Sequence, residues 1–224
     1  MRIGVLGNEG SWYCADIERA AHEMGHHCTR LEFRHLAAAS GIRTNSQLRG
    51  ITQPVSCDEQ SMLDFDAIIV RTMPPGSLEQ VVFRMNALAQ LERAGVVVVN
   101  SPKSMECAVD KYLTTARLEE AGLPVPATVT CQDSETAMLA FEKLGGDVVV
   151  KPLFGAEGRG ICRVSDPDLA FRTFRTLERL DAVLYLQQFV SHPGFDVRVI
   201  VLDGSIVGSM KRFGAENDFR TNIS

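Results

Sequence analysis

Over roughly the first hundred residues, short continuous apolar runs alternate with longer segments whose apolar positions recur every three to four residues. RIGVL (2 to 6) predicts a short strand, residues 12 to 24 a helix that stops at the C-cap glycine Gly25, and CTRLEF (28 to 33) the next strand. FDAIIV (65 to 70) and GVVVVN (95 to 100) are unbroken apolar runs, as expected of strands covered on both faces, and VFRMNALAQLERAG lies between them as a helix closed by Gly95. The pattern is that of a parallel, Rossmann-like sheet. Residues 40 to 63 are polar and weakly patterned, and predict loops with a short strand.

Ser101 and Pro102 punctuate the end of this layer, and the pattern then changes. Ser104 is expected to cap a helix from Met105 to Ala121, with Met105, Ala108, Val109, Tyr112, Leu113 and Ala116 as its apolar stripe and Lys111 outside most of it. VVVK and GICRV flank a glycine loop as a hairpin would, Asp166 or Ser165 with Pro167 opens a helix to about Leu180, and VLYLQQFV is a further strand. DVRVIVLDGSIVGSMKR (196 to 212) reads as two alternating strands joined by Asp203-Gly204, a dipeptide favoured in type I′ hairpin turns. Two strands rarely stand alone, so the hairpin is expected to open a domain truncated at Ser224.

Composition narrows the function classes. The 224 residues are 45 % hydrophobic, enough for two modest domains, and the net charge of −5 argues against a nucleic-acid or membrane surface. Any anionic ligand must therefore be met locally. MRIGVLGNEG is too short an apolar run for a signal peptide, and the six scattered cysteines read as reduced thiols of a cytoplasmic protein.

Three motifs invite chemistry. HEMGH (22 to 26) matches HExxH, but Gly25 is expected to end the helix before His26, so the two histidines would not share a helix face. GVLGNEG imitates a dinucleotide fingerprint with the wrong glycine spacing, since Gly4 falls inside the strand; a strand end with a substrate-facing loop is the other reading. In VVVKPLFGAEGRG (148 to 160), Lys151 precedes Gly155, Gly158 and Gly160, the reverse of a P-loop. A cation at the end of a valine run is costly unless an anion or water meets it, and glycines let backbone N–H groups approach an oxyanion. A solvated hairpin lysine explains these thirteen residues equally well.

The decision comes from the rest of the chain. VDKYLTTARLEEAGLPVP precedes VVVKP and the glycine loop, and LQQFV, PGFDVRVIVLDG, KRF and DFRTN follow in order. This ordered set resembles the ATP-grasp superfamily, most closely its RimK-like carboxylate-amine (alpha-L-glutamate) ligases, over essentially the whole chain. The resemblance implies an α/β (α+β) fold in three parts: a Rossmann-like domain (1–102), a nucleotide-binding subdomain (103–187) and the incomplete start of a C-terminal catalytic subdomain (188–224). It puts Lys111 and Lys151 on the ATP phosphates, the loop of Gly155, Gly158 and Gly160 over them as a flap, and Gln188 with Phe189 at the hinge beside adenine. Asp196 would contact ribose, and Arg220, Thr221 and Asn222 would reach phosphate and the reacting carboxylate. Arg220 and Arg198 are the catalytic candidates, with Arg212 a further anion contact. Relatives often carry Glu in place of Gln188.

The implied reaction is ATP-dependent addition of an amino acid, with glutamate expected, to a carboxylate on a protein tail or small molecule through an acyl phosphate. A carboxylate approaching a polyphosphate is repelled by about 4 kcal/mol for unit charges at 4 Å and an effective dielectric near 20, so clustered cations are what the chemistry asks for. The implied cofactors are ATP and Mg²⁺ or Mn²⁺, with metal ligands expected beyond residue 224 and none within the chain. No nucleic-acid or membrane partner is implied, and a homo-oligomer is the family expectation. The alternative is a non-catalytic ATP-binding or partner-binding module derived from such a ligase.

Overall fold

The computed structural model describes residues 1–41, 51, 54–155, 158–215 and 218–221. The chain divides into two compact units, Met1–Glu106 and Cys107–Ser224.

In the first unit, β1 (Arg2–Leu6), α1 (Trp12–Glu23) and β2 (His27–Leu31) form the expected βαβ start. A small antiparallel sheet of β3 (Leu36–Ala38), β4 (Val55–Cys57) and β5 (Gln60–Ser61) follows, then β6 (Ala67–Val70), α2 (Leu78–Arg93) and β7 (Val97–Val99). The main sheet has the order β2-β1-β6-β7 and is parallel throughout, as the unbroken apolar runs predict. Alternation along β1 sends Val5 into a cluster with Cys14 and Ala21 of α1, and Leu6 into the opposite cluster with Ala87, Leu88 and Leu91 of α2. Helices therefore cover both faces. Helix α2 starts a turn earlier than its apolar pattern suggests, because Ser77 and Gln80 close a reciprocal capping box.

The single helix expected from Met105 to Ala121 is two. Helix α3 (Pro102–Val109) is capped by Ser101, whose hydroxyl accepts the Ser104 N–H at 3.2 Å, and not by Ser104. Asp110 then adopts extended backbone and accepts the Leu113 N–H at 3.0 Å, which starts α4 (Lys111–Glu120). The break puts Lys111 on the first residue of a helix.

The second unit continues with β8 (Thr128–Cys131), α5 (Ser134–Lys143), β9 (Val148–Lys151), β10 (Cys162–Val164), α6 (Pro167–Arg179) and β11 (Leu184–Gln188). The sequence pattern leaves β8 and α5 unassigned, although Asp133 caps α5 by accepting the Thr136 N–H at 2.7 Å. The sheet order is β10-β9-β11-β8 with antiparallel neighbours. Val148, Val150, Leu184 and Leu186 face a core with Phe141 of α5 and Phe174 of α6. Val149, Lys151, Tyr185 and Gln187 consequently occupy the other face of the same strands.

Strands β12 (Phe195–Leu202) and β13 (Ser205–Phe213) form the expected hairpin, and its turn residues Asp203 and Gly204 both have positive φ, 47° and 74°.

Candidate functional site

The face of the second sheet that carries Val149, Lys151 and Gln187 and the base of the hairpin enclose a cavity of about 280 Å³, near the lower end of the roughly 300–1,000 Å³ typical of ligand pockets. Its apolar wall is Val149, Ile161, Phe189, Val190 and Phe219, and its polar groups are Lys151, Gln187, Gln188, Asp196, Arg212, Arg220 and Thr221. The end of β9, the residue before β10, the end of β11, the hairpin base and residues 219–221 thus converge on one concavity.

Lys151 ends β9 on the cavity face, half-buried, and its Nζ donates to Gln187 Oε1 at 2.6 Å. Gln187 in turn donates to Thr128 Oγ1 at 3.0 Å and Tyr185 Oη at 3.2 Å, and Tyr185 Oη lies 2.7 Å from Thr115 Oγ1. This network fixes the ammonium without neutralising it. Gln187 was not among the residues that motif matching selects; the alternation of LYLQQ, which puts Gln187 opposite in face to Leu186, is the signal that finds it.

Lys111 donates from Nζ to the Gly155 carbonyl at 3.0 Å and from its backbone N–H to the Leu153 carbonyl at 3.2 Å, so the glycine loop is tied to the start of α4. Burial pushes the Lys151 ammonium below the usual lysine range, and the neighbouring Lys111 charge pushes it further; burial likewise lowers Lys111. Neither lysine forms an ion pair with a carboxylate among the described residues, their ammonium groups bonding to the Gly155 carbonyl and Gln187 Oε1, while the nearby Asp110 charge offsets part of the burial at Lys111. Two half-buried cations that repel each other, one of them Lys151 beside an apolar wall, fit a ligand carrying clustered negative charge and a flat apolar part.

Phe189 packs edge-on to Phe219, with ring centroids 6.3 Å apart, and the Arg163 guanidinium sits 3.5 Å from its ring centroid. Its backbone N–H is taken by the Asp147 carbonyl at 3.0 Å, and that of Gln188 by the Ala127 carbonyl at 2.8 Å. Asp196 accepts a forked pair of bonds from Arg212, at 2.8 and 2.5 Å, and one from Thr221 Oγ1 at 2.9 Å, which holds its carboxyl below the usual range. Arg220 is clasped by Asp218, with Nη2 to Oδ2 at 2.8 Å.

The cavity therefore gathers Lys151, Gln188, Phe189, Asp196, Arg220 and Thr221. It does not gather Lys111, Arg198 or the three glycines. Arg198 is exposed on β12 opposite Met210, and Asn222 lies outside the described residues. Gly155, Gly158 and Gly160 all have positive φ, 122°, 70° and 70°, and a Cβ at Gly160 would meet Pro152 Cγ at 2.9 Å. Loop residues 156–157 lie outside the described residues.

The other motifs resolve simply. Helix α1 ends at Glu23 and Gly25 has φ 76°, so His22 and His26 do not share a helix face. Gly4 sits in β1 where a Cβ would meet Ile68 Cδ1 at 2.7 Å, so packing within the sheet accounts for it.

A family model of the RimK-like ATP-grasp domain matches residues 108–224, and one of the RimK PreATP-grasp domain matches residues 1–105. The chain belongs to the RimK-like ATP-grasp family. Among RimK-like relatives, a tetrahydromethanopterin:alpha-L-glutamate ligase of Methanosarcina acetivorans is 34 % identical over 235 residues, covering 100 % of this chain and 71 % of the relative. A probable alpha-L-glutamate ligase of Maridesulfovibrio salexigens is 25 % identical over 226 residues, covering 100 % and 71 %. The RimK domain ATP-grasp protein of Sphaerobacter thermophilus shares the fold with a TM-score of 0.71 at 23 % identity, over 97 % of this chain and 76 % of that one. The ATP-grasp ligase PsnB, in a complex with Mg and ADP, does so with a TM-score of 0.63 at 22 % identity, over 94 % and 72 %.

No helix among the described residues is long and apolar enough to cross a membrane. Nor do the described residues contain a group of three or more His, Cys, Asp or Glu placed to hold a metal ion.

Proposed function

We propose that the second unit binds ATP and that the protein joins the amine of an amino acid, glutamate being the first choice, to an acceptor carboxylate. The observation that carries this reading is the Lys151–Lys111 pair, two half-buried cations without carboxylate partners among the described residues, in a family whose relatives are named glutamate ligases. Lys151, held by Gln187, contacts phosphate oxygens. Phe189 and Val149 line the adenine slot with Gln188, and Asp196 faces ribose. Lys111, already bonded to the Gly155 carbonyl, reaches the phosphates together with the loop of Gly155, Gly158 and Gly160. Arg220 and Thr221, with Asn222, receive phosphate and the reacting carboxylate as Arg220 turns from Asp218, and Arg198 and Arg212 are further anion contacts, Arg212 once released from Asp196.

In this reading an acceptor carboxylate oxygen bonds to the γ-phosphorus as the bond to the β-γ bridging oxygen breaks, and ADP leaves. The amine nitrogen then attacks the acyl carbon, the C–N bond forms, inorganic phosphate departs and the amine proton is released. The residues' part is to hold and neutralise charge. A divalent ion would arrive with the nucleotide; no step is assigned to it, because the described residues offer it no cluster of ligands.

The chain is read as three parts, 1–102, 103–187 and 188–224, working in the cytoplasm, which six free cysteines suit. The test is to incubate the protein with ATP, Mg²⁺ and a panel of carboxylates in hydroxylamine. An ATP-dependent hydroxamate identifies the acyl phosphate, and replacing hydroxylamine by glutamate then yields the amide. ATP turnover with neither product would sink the reading.

The lowered lysines give a further expectation. A phosphate contact requires the charged form, so ATP affinity falls as pH rises through the lowered Lys151 range. The ligand-free protein behaves oppositely: between the lowered folded value and the ordinary unfolded one, the unfolded chain binds more protons, so stability rises with pH. Melting temperatures with and without ATP from about pH 7 to 10 check both signs against Lys151→Met.

A further inference from the structure

A second cavity, of about 330 Å³, lies wholly within the first unit. Its floor is the C-terminal edge of the parallel sheet: Gly7 and Asn8 follow β1, Glu32 and Phe33 follow β2, and Pro74 and Pro75 follow β6. The order β2-β1-β6-β7 reverses direction at β1, which makes this the crevice where open α/β sheets bind ligands.

Arg84 of α2 lines that cavity although it is only 7 % exposed. Its Nη1 donates to the Pro74 carbonyl at 2.7 Å, and its guanidinium lies 5.7 Å from the Phe33 ring centroid. No carboxylate pairs with it among the described residues. Glu32, the nearest acid by sequence in the lining, is fully engaged, with Oε1 on Arg30 Nη1 and Oε2 on Arg34 Nε, each at 2.8 Å. Gly76 lets the backbone pass close to the occupied Nη1 side of that guanidinium, since a Cβ there would stand 3.0 Å from Arg84 Nη1. A guanidinium buried without a counterion is costly, and with Nη1 occupied its Nε and Nη2 edge remains as a two-pronged donor of the shape that fits a carboxylate.

We propose that this cavity binds a small-molecule carboxylate, its two oxygens bridging Nε and Nη2 of Arg84. Planar recognition by one guanidinium, beside the acidic Glu9 in the lining, favours a carboxylate over the more highly charged, tetrahedral phosphate. The site goes beyond the nucleotide reading, because all of its residues belong to the first unit.

The test uses the full chain without nucleotide, so its outcome is independent of ATP binding. Succinate is titrated while the Arg84 Nε–Hε resonance is followed by NMR, with succinamide as the neutral isostere and inorganic phosphate as the tetrahedral anion. The expected result is a saturable shift with succinate, none with succinamide, weaker binding of phosphate, and at least a tenfold loss of succinate affinity in Arg84→Lys. Should that variant fail to fold, the wild-type titration decides alone. An unmoved Arg84 resonance, an equal response to succinamide, or tighter binding of phosphate overturns the proposal.

Discussion

Replacing Lys151 by Ala removes the thermal stabilisation that ATP gives the protein. At a ligand concentration a hundred times the dissociation constant, binding stabilises a folded protein by about 2.7 kcal/mol, and in a chain of this size each kcal/mol moves the melting temperature by roughly 2–4 °C. The wild type is therefore expected to gain several degrees with ATP, and Lys151→Ala close to none. Without ligand the variant should melt no lower than the wild type by more than a small margin, because a lysine whose charge is penalised by burial contributes little to the fold. The relief of that burial penalty in the variant is opposed by loss of the stem's packing and of the bond to Gln187 Oε1. Differential scanning fluorimetry with and without ATP reads both effects. A full ATP shift in Lys151→Ala would move the phosphate site away from β9.

Phe174→Ala carries the largest expected cost to stability, about 3–5 kcal/mol. Phe174 is 0 % exposed in the second unit's core and packs edge-on to Phe141, with ring centroids 6.4 Å apart. It does not line the cavity, yet the strands whose inner face it supports carry Lys151 and Gln187 on their outer face. Marginal stability makes such a loss a large fraction of what one core supplies. The expected calorimetric result is an early transition for the second unit and little change in the first, whose two clusters share no residue with this core. ATP should recover part of the loss by mass action. A single transition shifted as a whole would show that the two units unfold together.

What was legible in the sequence follows the range over which each signal acts. The parallel sheet of the first unit is written in local apolar runs and glycine stops, and Lys151 shows itself as a cation closing a valine run. The Asp203-Gly204 turn fixed its hairpin for the same reason. The break at Asp110 was harder, because an apolar stripe runs unbroken across it while the side chain cap acts on one N–H. Gln187 was out of reach of motif reading. Its role depends on which residue of β11 stands beside β9, and a register between strands thirty-six residues apart is set by long-range packing. Arg84 was equally hidden, since in sequence it is one charged residue in an amphipathic helix, and only the fold reveals that it is sealed in.

The two-sided character of β9 bears on how this strand tolerates change in length. Deleting or inserting one residue ahead of Lys151 would turn the ammonium toward the core side of Phe141 and Phe174 and present Pro152 or Val150, respectively, to the cavity in its place. Shifting by two would keep the facing but carry the charge about 6.7 Å along the strand, away from Gln187. A change of length in this part of the chain is therefore expected to be tolerated only in the loop beyond the lysine, where Gly155, Gly158 and Gly160 already adopt positive φ.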